Sequence, residues 1–177
     1  MSTANKRLIR KPASKDTPTA GREARLTHTL AFMRLLWAVD HGLRSLSKQM
    51  QARIGMTGPQ RLVLRIVGRF PHVTPSELAE LLHLDRGTLS GIVERLATQQ
   101  LLQRVPHHED GRSVLLDLTA RGRLLDQETS GTVEACVRRA LASLPRAKID
   151  AAKEVLEAVA RELSKEEERD AGDSIEG

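Results

Sequence analysis

The sequence predicts a mainly α-helical fold with a small antiparallel β wing, and three observations lead to this fold class. Two short helices separated by a tight turn are predicted between residues 73 and 99. Two short strands joined by a polar turn follow directly, over residues 102–118. Long segments with apolar residues at helical spacing lie on both sides of this central region.

The first short helix has a strong start signal at residues 74–77. Thr74 can cap the helix, Pro75 suits the first helical position, and Glu77 can complete a capping box. The helix is expected to end near His83, and Asp85 is expected to cap the second helix. Two helices joined by so short a turn form a helix-turn-helix, whose second helix normally lies in a DNA major groove.

The next segment predicts a β-hairpin, or wing. Residues 102–105 and 114–118 read as strands, with Val114, Leu116 and Leu118 expected to face the core. Residues 107–112 between them are polar and contain Gly111, as expected of a turn. A helix-turn-helix followed by such a hairpin predicts a winged helix.

The second short helix has two different faces on a helical wheel. Its apolar positions, expected to be buried, are Leu89, Ile92, Val93 and Leu96. The opposite face and its flanks carry Gly87, Thr88, Ser90, Gly91, Glu94, Arg95 and Thr98. Two exposed glycines cost a helix about 0.8–1 kcal/mol each relative to alanine. Close approach of the helix backbone to DNA would explain them, and so would neutral drift.

Composition favours a polyanionic partner and argues against other classes of protein. The 177 residues suit one domain, carry a net charge of +5, and have a pI of about 9.9. A single cysteine excludes an internal disulfide bond and fits a reducing cytoplasm. No apolar run approaches the roughly 20 residues of a membrane span, so no membrane association is expected.

The flanking helices are expected to be long. Residues 22–51 carry two apolar stripes, of which one would suffice to pack the helix on its own domain. Residues 120–144 predict one long helix that Gly131 could bend, with Cys136 as a buried, inert thiol. Pro145 opens a final helix. A redox switch at Cys136 is the alternative interpretation.

Four linked motifs occur in order over residues 88–122: TLS at 88–90, VERL at 93–96, DGR at 110–112 and LTARG at 118–122. Together with MTGPQ at 56–60, they resemble the MarR family of bacterial transcriptional regulators. The resemblance covers roughly residues 26–163. The chain departs from the family at Gln100, where glycine is usual, and at Gly111, where a basic residue is usual.

The resemblance implies a homodimeric repressor of double-stranded DNA with a pseudo-palindromic operator, released by a small aromatic or phenolic effector. It implies a MarR-like domain at 22–165. Residues 1–21 are polar, basic and broken by prolines, so a disordered arm is expected there, and residues 166–177 are expected to be a disordered acidic tail. Within the domain, residues 22–55 and 119–165 form the dimerisation helices. Residues 57–118 form the winged-helix lobe.

The candidate site residues follow from the helix face and from the resemblance. In the major groove we expect Arg86, Thr88, Ser90, Gly91, Arg95 and Thr98. Arg112 of the wing is implied to enter the minor groove, oriented by Asp110. The implied effector pocket, between the DNA-binding lobe and the dimer helices, contains Phe32, Met33, Trp37 and His41.

Enzyme, cofactor and metal functions are not predicted. The sequence contains no Gly-rich phosphate loop, nucleophile elbow or paired carboxylates, so no catalytic residues and no cofactor are expected. His107 and His108 are adjacent, and adjacent residues rarely converge on one ion, so no metal site is expected. A redox- or metal-responsive regulator and a winged helix that binds only protein are the alternative functions.

Overall fold

A computed structural model describes residues 26–106, 114–127 and 130–173 of the chain. The elements follow in the order α1 (His28–Ile54), α2 (Gly58–Arg69), α3 (Pro75–Leu82), α4 (Arg86–Thr98), β1 (Leu102–Pro106), β2 (Val114–Leu118), α5 (Ala120–Gln127), α6 (Val133–Leu141) and α7 (Arg146–Asp173). Strands β1 and β2 pair antiparallel, with Leu102 opposite Leu118 and Pro106 opposite Val114. The predicted fold class, mainly α with a small antiparallel sheet, is confirmed.

The chain divides into two compact units, Met1–Gly42 and Leu43–Gly177. The described part of the first unit is the N-terminal stretch of α1. It exposes apolar side chains from both predicted stripes, among them Leu30, Trp37 and Val39. The second unit contains the remaining elements and the hydrophobic core.

The core of the second unit is formed by α2, α3, α4 and the two strands. Its most deeply buried apolar side chains are Met56, Val63, Leu64, Val67, Leu78, Leu89, Leu96 and Leu116. Burying an aliphatic side chain of this size contributes roughly 1.5–3 kcal/mol relative to leaving it exposed. Helix α2 contacts both α4 and α5, so it connects the helix-turn-helix to the segment that follows the wing.

The helix start signals read from the sequence are present as predicted. The Thr74 side chain accepts a hydrogen bond from the Glu77 backbone N–H at 3.2 Å, and the Glu77 carboxylate accepts one from the Thr74 backbone N–H at 2.8 Å. These bonds favour the charged form and hold the pKa of Glu77 below its ordinary value. A second capping box, between Thr57 and Gln60, starts α2.

Residues 120–144 do not form the single long helix that we predicted. Helix α5 ends at Gln127, and α6 begins at Val133. Gly131 adopts the left-handed conformation with φ of 60°, and the Thr132 side chain then caps α6 by accepting from the Ala135 N–H at 3.3 Å. A left-handed glycine followed by a capping threonine starts a new helix and does not merely bend an existing one.

Two predicted burial positions are also wrong. Val114, expected to face the core, is 38% exposed, because it pairs with Pro106 at the far end of the hairpin. Cys136, expected to be buried, is exposed. Helix α6 buries Ala135, and the next residue lies about 100° further round a helix with 3.6 residues per turn.

The last helix continues past the boundary predicted at residue 165. Helix α7 runs to Asp173, whereas residues 166–177 were predicted to be a disordered tail. Two exposed ion pairs support this stretch, each between residues about one helical turn apart: Lys165 with Glu162 at 2.6 Å and Arg169 with Glu166 at 2.8 Å. Exposed pairs at this spacing each add only slightly to helix stability. The predicted arm at residues 1–21 and the end of the tail at 174–177 lie outside the described residues.

Candidate nucleic-acid interface

Helices α3 and α4 form the predicted helix-turn-helix. Helix α3 ends because His83 adopts the left-handed conformation with φ of 50°. Leu84 then donates its backbone N–H to the Ala79 carbonyl at 3.0 Å, which closes the turn. Asp85 caps α4 by accepting from the Thr88 N–H at 2.8 Å, and the bonds from Thr88 lower the pKa of Asp85. The two helices are thus joined by three residues whose backbone groups are largely satisfied.

One face of α4 is anchored in the core, as the helical wheel predicted. Its buried residues are Leu89, Ile92, Val93 and Leu96. Since this face packs against α2 and α3, the rotation of α4 about its own axis is fixed. The opposite face must therefore point to solvent.

The structure brings six predicted DNA-binding residues together on the exposed side of α4. All of them are exposed to solvent: Arg86, Thr88, Ser90, Gly91, Arg95 and Thr98. A Cβ atom added to Gly91 would meet nothing within 4 Å, so this part of the helix surface is open. The hydroxyl of Thr98 donates to the Glu94 carbonyl at 2.9 Å, which leaves its oxygen free to accept.

Arg104 of β1 is a residue of this surface that the sequence reading missed. One of its terminal nitrogens lies 3.6 Å from a carboxylate oxygen of Glu94 on α4. Both side chains are exposed, so the pair contributes little stability. The pair would nevertheless affect DNA binding electrostatically. The positive charge of Arg104 partly cancels the negative charge of Glu94, the carboxylate on this face of α4 that would repel phosphates. Arg104 was missed because a strand predicted from sequence does not indicate which helix its side chains will lie against.

A polar groove of 400 Å³ lies beside the C-terminal end of α4. It is lined by Gln51, Thr57, Gln60, Glu94, Arg95, Thr98 and Gln99. Thr57 and Gln60 hydrogen-bond each other in the capping box of α2, whereas the exposed amide of Gln51 can donate to and accept from phosphate or sugar oxygens. Arg95 and Thr98 therefore have a further hydrogen-bonding group beside them on α1.

Asp110 and Arg112, the predicted wing residues, lie outside the described residues, as do His107 and His108. The two strands that lead into and out of the wing are described, and Leu116 and Leu118 anchor β2 in the core. Over the described residues, no three metal-binding side chains lie together. The role of Arg112 stays a prediction.

The predicted effector residues all lie on α1 in the first unit. Met33, Trp37 and His41 are exposed and Phe32 is half-buried. Neither the polar groove beside α4 nor a second groove, bounded by Phe70, Glu77 and Leu81, contains any of them. The effector pocket also stays a prediction.

Within the described part of the chain, no helix is long and apolar enough to cross a membrane.

A helix-turn-helix with a solvent-exposed polar face, followed by an antiparallel hairpin, defines the class of winged-helix DNA-binding proteins. Comparisons with known proteins identify the family. The sequence model of the MarR family matches residues 54–113. The organic hydroperoxide resistance transcriptional regulator of Bacillus subtilis is 34% identical over 104 residues, which are 59% of this chain and 69% of that protein. The chain belongs to the MarR family and is a DNA-binding transcriptional regulator.

Solved structures agree with this assignment. The PcaV transcriptional regulator of Streptomyces coelicolor, solved with its natural ligand, superposes with a TM-score of 0.59 and 26% identity, covering 76% of this chain and 93% of that one. A mutant of Escherichia coli MarR, solved with operator DNA, superposes with a TM-score of 0.58 and 24% identity, covering 71% and 91%. The second likeness concerns the fold alone.

Proposed function

We propose that this chain is a cytoplasmic, homodimeric repressor that binds a pseudo-palindromic operator through the exposed side of α4. The observation that carries the proposal is the exposed polar face of a helix whose opposite face is anchored by four buried apolar residues. Each protomer would place residues 86–98 in a major groove and Arg112 in the adjacent minor groove. In a two-fold dimer, such helices lie about one DNA turn apart, ~34 Å.

Exposed apolar side chains support the dimer. Helix α7 exposes Val155, Leu156 and Leu163, and α6 exposes Val137. The N-terminal stretch of α1 independently exposes Trp37. A partner chain that covers these residues would remove their apolar surface from water at about 25 cal/mol per Å².

Selection of bound sequences from a random DNA library tests this function. We expect the wild-type protein to enrich an inverted repeat whose half-sites are centred about 10 base pairs apart. Arg95→Ala should weaken binding to the enriched sequence. Arg146→Ala, which changes an exposed arginine on α7, serves as the control for loss of positive charge. If no sequence is enriched over bulk DNA, the proposed function is wrong.

We also propose that a small aromatic or phenolic ligand releases the operator. Support comes from the aromatic and apolar groups of Phe32, Met33, Trp37 and His41 on α1, and from the relative solved with its natural ligand. Trp37 is the single tryptophan of the chain, so its fluorescence reports on this region directly. Hydroxybenzoates used as probes should quench this fluorescence and lower operator affinity over the same concentration range. Quenching without any change in affinity would contradict release by this route.

A further inference from the structure

Three arginines converge on the break between α5 and α6. Arg53 lies at the end of α1, and Arg61 and Arg65 lie on successive turns of α2. We call these three residues the arginine clamp. All of their contacts described below lie within the second unit of the chain.

Arg61 is the centre of the clamp and is almost completely buried, with 1% of its side chain exposed. Its Nε and Nη2 lie 2.7 and 2.6 Å from one carboxylate oxygen of Glu134, in the first turn of α6. Its terminal nitrogens also donate to the backbone carbonyls of Leu125 at 2.6 Å and Asp126 at 3.2 Å. These carbonyls belong to the last turn of α5, which has no helical partners for them and carries partial negative charge. One buried guanidinium thus connects the end of α5 to the start of α6.

Arg65 and Arg53 extend the same connection. Arg65 donates to the backbone carbonyl of Asp126 at 2.9 Å and to its carboxylate at 2.8 Å. Arg53 donates to the Ser130 carbonyl. Gly131 leaves room for this contact, since a Cβ atom there would lie 2.7 Å from the Arg53 guanidinium carbon.

The arginine clamp is expected to add little net free energy of folding compared with apolar residues at the same positions. A buried ion pair loses hydration on both partners, and replacing it by apolar residues of similar volume is often neutral or stabilising. Its directional hydrogen bonds instead define one geometry for the groups that they join. Helix α2, which carries two of the three arginines, also packs against α4. The clamp therefore connects α2, the helix that supports α4, to the beginning of α6.

We propose that the arginine clamp positions α6 and the chain beyond it relative to the DNA-binding lobe, and so determines the half-site spacing that the dimer accepts. The inference rests on the proposed function, in which α6 and α7 belong to the dimer contact. Arg61 is a positioning residue in this account and has no contact with DNA. A dimer whose lobes are fixed in this way should reject operators in which one half-site is displaced.

The test compares three operators that contain the same half-sites at the selected spacing, one base pair shorter and one base pair longer. One base pair turns a half-site by about 36° and moves it by about 3.4 Å, since B-DNA has 10–10.5 base pairs per turn. Wild-type protein should bind the displaced operators about tenfold or more weakly, which is the cost expected of a poorly matched site. The double variant Arg61→Met with Glu134→Met keeps side-chain volume without buried charge. It should bind all three operators within about threefold of one another, because its two lobes are no longer held in one geometry.

Arg146→Met is the matched control, because it breaks an ion pair with Asp150 inside α7, at 3.6 Å, and leaves the clamp intact. It should keep the wild-type spacing preference. If the double variant does not fold, Arg65→Gln removes a partly exposed member of the clamp and should weaken the preference in the same direction. A folded clamp variant with an unchanged spacing preference overturns the inference. Wild-type protein that enriches no inverted repeat overturns the proposed function itself.

Discussion

Two glycines in the second unit serve opposite purposes, as their surroundings show. A Cβ atom on Gly122, in α5, would lie 2.0 Å from the Leu101 carbonyl oxygen, so the two backbones touch there. A Cβ atom on Gly91, in α4, would meet nothing within 4 Å. Packing therefore requires glycine at position 122 and does not require it at position 91. Packing within the chain therefore leaves two explanations for Gly91, close approach of the helix backbone to DNA and neutral drift.

Gly91→Ala should separate stability from DNA binding. Alanine should raise the free energy of unfolding by up to about 1 kcal/mol, because glycine is costly at an exposed helix position. If the open surface allows the helix backbone to approach the groove, operator affinity should nevertheless fall, and Gly91→Gln should reduce it further. Melting temperature and operator affinity should be measured on the same samples. A more stable Gly91→Ala protein with unchanged affinity and sequence preference would favour neutral drift.

Gly122→Ala is the contrasting case. The added methyl group must displace the Leu101 carbonyl, which also accepts the Thr119 backbone N–H at 3.1 Å. We expect a loss of about 1–3 kcal/mol in the free energy of unfolding, the usual cost of overpacking. Chemical denaturation measures it. A loss below about 0.5 kcal/mol, the range of ordinary surface substitutions, would mean that the chain relaxes around the contact.

Arg112→Ala tests the wing. If Arg112 enters the minor groove, its loss should weaken operator binding by about 1–3 kcal/mol and reduce the salt dependence of log K by roughly one unit. Binding isotherms at several salt concentrations measure both quantities, and thermal melting should be unchanged. Wild-type affinity together with a wild-type salt slope would show that Arg112 makes no contact with DNA.

At the scale of single elements, the sequence predicts what depends on neighbouring residues. The capping box at Thr74, the cap at Asp85 and the buried face of α4 were all predictable, because each depends on residues within a few positions. Gln100, which stands where the family usually has glycine, adopts the left-handed conformation with φ of 57°. Local signals therefore placed the helix-turn-helix and its exposed face correctly.

Contacts between distant parts of the chain were not predictable in this way. Arg61 and Glu134 are separated by 73 positions, and Arg61 and Leu125 by 64. Helical periodicity treats Arg61 as a polar residue of α2 and gives no reason to bury it. The break at Gly131 has a local signal, the glycine followed by a capping threonine, and also long-range contacts from the arginine clamp that the sequence does not indicate. Positions determined by such long-range contacts require the structure.

The clamp also predicts how stability depends on pH. Burial raises the pKa of Glu134, but the hydrogen bonds and charge of Arg61 lower it more, so that it lies below its ordinary value of 4.5. A carboxylate with a lowered folded-state pKa contributes its full stabilisation above the unfolded pKa and loses it as pH falls through the folded one. The wild-type protein should therefore be more stable than Glu134→Gln at neutral pH. The difference should shrink as pH falls below about 4.5.

Urea denaturation at several pH values measures this difference. Comparing the two proteins removes the contributions of Glu77 and Asp85, whose lowered pKa values also cause a loss of stability in acid. A difference that stays constant from pH 7 to pH 3 would mean that Glu134 is not the charged partner of Arg61.

At the scale of the whole molecule, charged residues concentrate at the two ends of the chain, and exposed apolar residues lie on several of the long helices. The first 25 residues contain seven basic and two acidic side chains, whereas the last 16 contain two basic and seven acidic ones. These two segments cancel, so a net charge of +5 also belongs to the region between them. That region therefore carries positive charge of its own, which favours a polyanionic partner. Exposed apolar residues occur on all three of the helices proposed for the dimer contact, α1, α6 and α7.

Dimerisation is the prediction that connects these observations. Leu163 on α7 is 63% exposed in the single chain, and a charge at this position should be tolerated by a monomer but not inside a dimer contact. Leu163→Glu should therefore lower the mass seen by sedimentation at micromolar concentration from twice the chain mass toward the chain mass. Leu81→Glu is the matched control, because Leu81 on α3 is 52% exposed and lies outside α6 and α7. It should remain dimeric.

Operator binding should fall together with the dimer. Two linked recognition helices gain about 10²–10⁴ in affinity over one, because the second helix binds at high effective concentration. Leu163→Glu should lose a factor in this range on the full inverted repeat while keeping the same weak affinity for a single half-site. The substitution lies on α7 and leaves the sequence of α4 unchanged. Half-site affinity equal to that of the wild type would therefore show that the exposed side of α4 is intact. A folded monomer that binds the full operator as tightly as the wild type would contradict the dimeric mode of recognition.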